Sequence, residues 1–352
     1  MANKFGERGT GGGEDPAAGR RSRQGAASPL GLGSGREFDL IRRFFADGPV
    51  QAREDVRVGP GDDAAVVAGD GIVLTSDLSV EDVHFRRSWL SPFEIGYRSA
   101  AATLSDLAAM AARPIGILVS LGLDDEEAEA RGVGIMRGAE AAVSAAGGVV
   151  LGGDLTRSGG PIVVDVVGVG ESRNPVLRSG ASPGDEVWVT GELGGAALAV
   201  GALQRGETPD GAAFERFRAP RARVREARWF AERHLPRAML DLSDGLGGDV
   251  EHIAQASGVA ITLEPAAIPL HPSIAKAGTR PEAALALGLS GGEDYELCFV
   301  AAAGAVQRHR DAFLAEFGVP VTRVGTVEKG QGVFLLTPGG RESFDRGGFQ
   351  HF

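Results

Sequence analysis

The sequence predicts an α+β fold of two α/β-sandwich domains, the first with a mixed sheet and the second with a sheet flanked by helices. Short apolar runs typical of strands alternate with alanine-rich and amphipathic runs typical of helices. The chain has 352 residues, which is enough for two domains of ordinary size. A polar segment with two prolines, residues 174–184, separates two similar halves, so we predict domains at 36–173 and 174–352.

Residues 1–35 predict a disordered N-terminal extension. They contain GTGGGEDP, GRRSRQG and GLGSG and almost no large apolar side chains. Such a segment cannot bury enough apolar surface to offset the entropy lost on ordering.

The elements of the N-terminal domain follow from local signals. The segment SPFE at 91–94 is a capping box with proline at the first helical position, so a helix begins there, and Arg113-Pro114 ends it. A glycine turn at 69–71 between two apolar runs is typical of a hairpin. The predicted elements are strands 64–68 and 72–75, a helix over 91–112, a strand over 115–123, a helix over 126–146, and strands 149–152 and 162–169.

The C-terminal domain repeats the alternation of strands and helices. The predicted strands are 186–190, 238–242, 259–263 and 295–300, with further strands closing the domain, and the predicted helices are 196–204, 221–234, 245–257 and 305–317. Cys298 falls within one of these strands, which indicates core packing.

Composition excludes several classes of function. The net charge of −11 argues against nucleic acid as the main partner. Because Cys298 is the only cysteine, there is no disulfide framework and no thiolate metal site, which fits a reducing cytosol. No apolar run approaches the ~18 residues of a membrane span. We therefore expect a cytoplasmic protein that binds neither nucleic acid nor membrane.

Aspartates that follow apolar runs or lie at glycine turns are the informative feature of the sequence. Asp106 lies in the alanine-rich helix and Asp241 between two leucines, where a carboxylate buried alone would cost several kcal/mol. Each therefore needs a partner, of which a cation is the obvious one. Any single aspartate of the set could instead be an ordinary turn former or helix cap. The set comprises Asp62, Asp63, Asp77, Asp106, Asp154, Asp241 and Asp244.

The pattern indicates hard divalent cations and phosphate ligands. Several carboxylates with almost no lysine favour Mg²⁺, whereas no histidine or cysteine pair has zinc-ligand spacing. Neither a P-loop nor the motifs of protein kinases occur. Residues 152–154 and 243–248 place small residues at predicted turns or helix starts, where free backbone N–H groups could hold phosphate oxygens.

From about Glu37 to Phe352 the chain carries eight motifs in a fixed order. They are GDDAAVV, TSDLSVEDVHF, LSDLAAMAARP, LGGDLTRSG, LRSGASPGD, DLSDGL, SGGEDYEL and the terminal GGFQHF. With these motifs the chain resembles the thiamine-monophosphate kinases. That family belongs to an ATP-dependent superfamily shared with aminoimidazole ribonucleotide synthetase and selenophosphate synthetase.

The resemblance implies a homodimer that pairs its N-terminal sheets, with ATP and several Mg²⁺ ions in clefts between the domains. The implied metal ligands are Asp63, Thr75, Ser76, Asp77, Asp106, Asp154, Asp241 and Asp244. The implied ATP contacts are Gly153, Asp154, Arg178 and Ser243. The acceptor, thiamine monophosphate, would contact His84, Glu293 and Phe349. Asp154, Arg178 and Asp244 are the residues expected to act in catalysis.

The implied reaction is direct in-line phosphoryl transfer from ATP to thiamine monophosphate. Because a phosphate with a second pKa of ~6 is largely a dianion near pH 7, no general base is needed. The enzyme must instead align ATP with the acceptor and offset the repulsion between these two anions.

Other interpretations stay open for the substrate residues and for the function. His84 could be a hydrogen-bonded core histidine, Glu293 a turn cap and Phe349 a packed chain end. The alternatives in function are an enzyme like aminoimidazole ribonucleotide synthetase and a non-catalytic protein that binds nucleotide or metal. The chain also departs from the family pattern at Asp82, where glycine is common, and at Leu155, where a hydroxyl residue is frequent.

Overall fold

A computed structural model describes residues 56–58, 65–67, 71–124 and 128–344. The predicted extension 1–35, together with Asp63 and Phe349, lies outside the described residues. The described part contains two mixed sheets, each packed against helices, which confirms the predicted α+β class.

The N-terminal sheet has two helices packed against it. Its strands are β1 (Val56–Val58), β2 (Ala65–Val67), β3 (Ile72–Val80), β4 (Arg113–Leu123), β5 (Val149–Arg157) and β6 (Val163–Glu171), and its helices are α1 (Pro92–Ala109) and α2 (Ala128–Ala145). The strand order is β1-β2-β3-β6-β4-β5, with only the β4–β5 pair parallel among these strands. The predicted capping box begins α1: the Ser91 hydroxyl accepts from the Glu94 N–H, and the Glu94 carboxylate accepts from the Ser91 N–H.

Two strands run further than the sequence predicts. β3 continues to Val80, so the segment Thr75-Ser76-Asp77 lies inside a strand. β5 continues to Arg157, so the predicted turn at Gly152-Gly153-Asp154 is wrong: these residues pair in parallel with β4 beyond a bulge. Glycine pairs are typical of turns. Here the lack of a side chain instead lets the backbones of two neighbouring strands approach closely.

Gly153 is the position where that approach is tightest. A Cβ placed on Gly153 would lie 1.8 Å from the carbonyl oxygen of Val119, and φ is +157°. We expect Gly153→Ala to lower the free energy of unfolding by at least about 1 kcal/mol, since the side chain cannot fit without moving β5. Chemical denaturation of the variant measures this loss. Gly160→Ala is the matched control because a Cβ there would meet nothing within 4 Å, and an equal loss in both variants would contradict the steric explanation.

The C-terminal sheet is flanked by helices on both faces. Its strands are β7 (Glu186–Thr190), β8 (Pro236–Asp241), β9 (Ala260–Leu263), β10 (Leu297–Ala301), β11 (Val321–Glu328), β12 (Gly332–Thr337) and β13 (Gly340–Ser343). Its helices are α3 (Gly195–Gln204), α4 (Gly211–Arg218), α5 (Val224–Glu232), α6 (Leu246–Ser257), α7 (Pro272–Lys276), α8 (Pro281–Ser290) and α9 (Arg310–Phe317). The strand order is β13-β12-β9-β11-β7-β10-β8.

Core packing explains this two-sided arrangement. On one face the Phe230 ring from α5 lies 4.6 Å from Phe299 of β10 and 4.5 Å from Phe313 of α9. On the other face Cys298, which is fully buried as predicted, belongs to one buried cluster with Leu246, Val250 and Ile253 of α6. Helices α4, α7 and α8 are not among the predicted elements, and they are short, with 8, 5 and 10 residues.

Helix α1 connects the two domains. Arg218 of α4 donates to the Glu94 carboxylate at 2.8 Å, and the Arg98 guanidinium lies 4.3 Å from the Phe217 ring centre. Helix α1 thus contacts both the N-terminal sheet and the C-terminal domain. No helix in the described ranges is both long enough and apolar enough to span a membrane.

Candidate active site between the two sheets

The first group of candidate residues lies between β3 and α1. Thr75 and Asp77 are two residues apart on β3, so their side chains share one face of the sheet. That face is covered by α1, because Val166, which pairs with Asp77, is fully buried. The Thr75 hydroxyl donates a hydrogen bond to the Asp106 carboxylate of α1. Asp106 therefore has the polar partner that the sequence requires.

Asp77 is the residue of this group that best fits a bound cation. Burial raises the pKa of Asp77 above its usual value, although hydrogen bonds with Thr103 and Asp106 oppose the rise. Its Oδ2 is buried and has no hydrogen-bond partner among the described residues. A buried carboxylate oxygen without a donor is costly unless something positive binds it. With the oxygens of Thr75 and Asp106 beside it, this donor set fits a hard divalent cation.

The second group lies where β8 ends and α6 begins. Asp241, the last residue of β8, is 6% exposed, as predicted for a buried strand end. Ser243 is exposed and Asp244 half-buried in the turn that follows. The charges of Asp241 and Asp244 both act on Asp249 of α6, whose pKa is raised well above its usual value by burial and by these two carboxylates. The positive charge of Arg178 lowers that pKa, so the Arg178 side chain lies near Asp249.

Asp249 is not among the predicted site residues, and it changes one prediction. The backbone N–H groups of Ser243, Asp244 and Gly245 donate to Asp249 Oδ2 at 3.0, 3.1 and 3.1 Å. The prediction that these N–H groups are free to hold phosphate is therefore wrong. The signal in the sequence was the last aspartate of DLSDGLGGD, which falls in the first turn of the predicted helix.

Tyr295 connects the two groups. Burial raises the pKa of its phenol, and the charges of Glu293, Asp77 and Asp241 raise it further. Asp77 comes from the N-terminal sheet and Asp241 from the C-terminal sheet, so carboxylates of both domains lie near enough to Tyr295 to raise its pKa. The candidate site therefore lies between the two sheets.

The loop that carries Glu293 and Tyr295 is strained. These two residues have φ values of 66° and 50°, which side chains other than glycine rarely adopt. The Glu293 N–H donates to the Ser243 carbonyl and the Tyr295 N–H to the Leu242 carbonyl, each at 2.8 Å. Strain of this kind persists where the surroundings enforce it, often at functional sites.

Glu293 forms an ion pair with Arg98 of α1, which is 5% exposed and is also not among the predicted residues. Glu293 therefore does more than cap a turn, because it links the C-terminal loop to the N-terminal domain. His84 lies half-buried in the turn after β3, where its Nδ1 accepts from the Val80 N–H at 3.1 Å. The neutral ring then carries its proton on Nε2.

Ser76 and Asp154 lie on the opposite, outward face of the N-terminal sheet. Ser76 Oγ donates to Asp165 Oδ1 at 3.0 Å, and Ser120 pairs with both Asp165 and Asp154. Asp154 is exposed on β5, and its Oδ1 accepts from the Leu155 N–H at 2.9 Å. The structure thus divides the candidate metal ligands between the two faces of this sheet.

Within the described ranges, no three His, Cys, Asp or Glu side chains stand close enough together to hold a metal ion unaided. The carboxylates come together instead in smaller sets: Asp77 lies beside Asp106, and Asp241 and Asp244 both lie near enough to Asp249 to raise its pKa. Mg²⁺ commonly takes one or two carboxylates and completes its shell with water and substrate phosphates. Paired carboxylates are compatible with such an ion.

The structure shows the conformation of Asp82 and the exposure of Leu155, the two residues that depart from the family pattern. Asp82 has a φ of 65°, the left-handed conformation that glycine adopts most readily, so the backbone keeps the shape that a glycine would favour. Leu155 is 68% exposed at the edge of the sheet.

Comparison with known proteins identifies the family. Residues 61–172 match the AIR synthase related protein N-terminal domain, and residues 182–337 match the C-terminal domain. The thiamine-monophosphate kinase of Escherichia coli K12 is 33% identical over 328 residues, covering 90% of this chain and 98% of that protein. The Mycobacterium tuberculosis H37Rv protein of the same name is 38% identical over 277 residues, covering 75% and 80%.

Comparison with solved structures leads to the same family. AaThiL complexed with AMPPCP and TMP matches with a TM-score of 0.76 and 29% identity, covering 91% of this chain and 97% of that one. Thiamine-monophosphate kinase from Stenotrophomonas maltophilia K279a matches with a TM-score of 0.69 and 34% identity, covering 85% and 96%. Escherichia coli HypE, a hydrogenase maturation protein, shares the fold at 18% identity. The motif resemblance is thereby confirmed, and the chain belongs to the thiamine-monophosphate kinase family of AIR synthase related proteins.

Proposed function

We propose that the protein transfers the terminal phosphoryl group of ATP to thiamine monophosphate, giving thiamine diphosphate and ADP. The observation that carries the proposal is that Asp77 and Asp241, which come from different sheets, both lie near the half-buried side chain of Tyr295. The names of the relatives at 33% and 38% identity supply the substrate.

Mg²⁺ fits the carboxylates on both sides of this site. The residues that would hold it are Asp77 and Asp106 on one side and Asp241 and Asp244 on the other. The Oδ2 of Asp77, which has no hydrogen-bond partner among the described residues, is the strongest single indication. When bound, such ions neutralise phosphate charge and so reduce the repulsion between donor and acceptor.

The chain's own side chains bind and orient the two substrates. Glu293 offers a carboxylate to the cationic thiazolium and pyrimidine portion of the acceptor, and its ion pair with Arg98 holds it in place. Arg178 lies in the neighbourhood of Asp244 and Asp249 and supplies positive charge for the phosphates of ATP, with Gly153 and Ser243 as further contacts. His84 and Phe349 complete the acceptor site, where an aromatic ring attracts a cation through its π face.

No general base is required, because the attacking phosphate oxygen of the acceptor is already ionised near pH 7. We therefore propose direct in-line transfer without a phosphorylated protein. A phosphoprotein detected during a single turnover would contradict this mechanism.

Turnover with the natural acceptor tests the function. We expect Mg²⁺-dependent ADP formation with thiamine monophosphate and none with unphosphorylated thiamine, which lacks the ionised attacking group. Turnover with an aminoimidazole precursor alone would favour the related synthetase. Nucleotide binding without turnover of either would favour a binding protein.

The outward face of the N-terminal sheet supports the proposed homodimer. Large apolar side chains on its strands are exposed to solvent in a single chain, and such a patch is typical of an interface. They are Ile72, Leu78, Leu118, Val149 and Leu151. A second copy of the chain would cover this face.

We expect Leu78→Arg to convert the dimer to a monomer, since Leu78 is 55% exposed on β3 and a charge there would be buried by the second copy. Sedimentation velocity measures the change. Leu336→Arg is the control, because Leu336 is 51% exposed on β12 of the other domain. An unchanged dimer in the Leu78 variant would contradict pairing through this face.

A further inference from the structure

The turn between β8 and α6 is held from its buried side by one carboxylate. Asp249 is 4% exposed, and its Oδ2 accepts hydrogen bonds from three successive backbone N–H groups at residues 243–245. Successive N–H groups that point to one place form an anion-binding nest. In this protein the occupant of the nest is the chain's own carboxylate, so a phosphate cannot take that position.

The same turn is attached to the strained loop that carries Glu293. The Ser243 carbonyl accepts from the Glu293 N–H, and the Leu242 carbonyl accepts from the Tyr295 N–H, each at 2.8 Å. The turn therefore lies between Asp249 on one side and the loop that carries Glu293 and Tyr295 on the other. Its own side chains, Ser243 and Asp244, remain exposed or half-buried.

We propose that Asp249 is a positioning residue for phosphoryl transfer, which fixes Ser243 and Asp244 through their backbone and fixes Glu293 through the Ser243 carbonyl. The proposal rests on the proposed function. Three backbone hydrogen bonds that converge on one carboxylate oxygen define the turn more rigidly than one. Asp249 touches neither substrate in this scheme and acts through the turn.

Amide hydrogen exchange of the metal-free protein tests the positioning directly. In the wild type we expect the amides of Ser243, Asp244 and Gly245 to exchange at least ~100-fold more slowly than in an unstructured peptide. In Asp249→Ala we expect their exchange to rise at least ~10-fold, whereas Asp249→Asn, which keeps an acceptor oxygen, retains most of the protection. Exchange of the wild-type turn at the unstructured rate would overturn the proposal without any variant.

Asp185→Ala is the matched control. Asp185 is 3% exposed in the same domain and accepts a backbone hydrogen bond from Ser182 at 2.8 Å, away from the turn. Its replacement should lower stability without altering exchange at residues 243–245. Equal exchange there in the Asp185 and Asp249 alanine variants would show a global effect and overturn the assignment.

Steady-state kinetics supply the second readout. We expect Asp249→Ala to lower kcat by about 10- to 100-fold, with Asp249→Asn recovering most of the rate, as for residues that orient metal ligands. Full activity in Asp249→Ala would overturn the proposal. Absence of kinase activity in the wild type would instead refute the proposed function, and the exchange result would still decide whether Asp249 holds the turn.

Discussion

Replacing Asp244 by asparagine lowers kcat for thiamine monophosphate phosphorylation by at least about a hundredfold and leaves the fold intact. Asparagine has nearly the same shape, and the Asp244 backbone N–H keeps its bond to Asp249, so the turn should not move. What is lost is a negative charge near Asp249, at the place proposed for a divalent cation. Steady-state kinetics of the purified variant measures the loss of kcat, and circular dichroism shows whether the fold is intact.

Asp311→Asn is the control for this substitution. Asp311 is exposed in the first turn of α9, away from both groups of carboxylates, so its loss should not change the rate. A rate near that of the wild type in Asp244→Asn would remove Asp244 from the proposed metal ligands.

Replacing Glu296 by alanine lowers the free energy of unfolding by about 3–5 kcal/mol, because it removes the fully buried carboxylate of an ion pair with a buried guanidinium. Glu296 is 1% exposed and binds both Arg223, which is 4% exposed, and Arg216. Its Oε2 also accepts from the Thr190 hydroxyl at 2.7 Å. Urea unfolding of the variant against the wild type measures the loss.

Glu207→Ala provides the matched control, since Glu207 pairs with Arg205 on the surface and should show no measurable change. A loss below about 1 kcal/mol in Glu296→Ala would contradict the assigned structural role. The test also distinguishes the roles of two glutamates in the motif SGGEDYEL. Glu293 lies at the candidate site, whereas Glu296 stabilises the core.

The elements with strong local signals could be predicted from the sequence. The capping box at Ser91 defines the start of α1, and the apolar run before Asp241 predicts β8 and the burial of its last residue. The need of Asp106 for a polar partner also follows from its apolar surroundings, and Thr75 provides that partner. These features depend on residues close in sequence or on the cost of burying a charge.

The rest depends on contacts that a single sequence does not show. The glycines of β5 suggest a turn, and only the close approach of Val119 reveals a strand. Arg98 lies 195 positions from Glu293, and nothing in the sequence around it predicts their ion pair. Asp249 resembles an ordinary residue of a first helical turn until three N–H groups are seen to point at it.

The central claim is that carboxylates from both sheets gather divalent cations at which two phosphate compounds meet. Anomalous diffraction from crystals grown with Mn²⁺, a non-hydrolysable ATP analogue and thiamine monophosphate tests it most directly. We expect manganese bound to Asp77 or Asp106 from one sheet and to Asp241 or Asp244 from the other, in contact with phosphate oxygens of both ligands. Manganese found only at surface carboxylates, with both ligands bound free of metal, would contradict the claim.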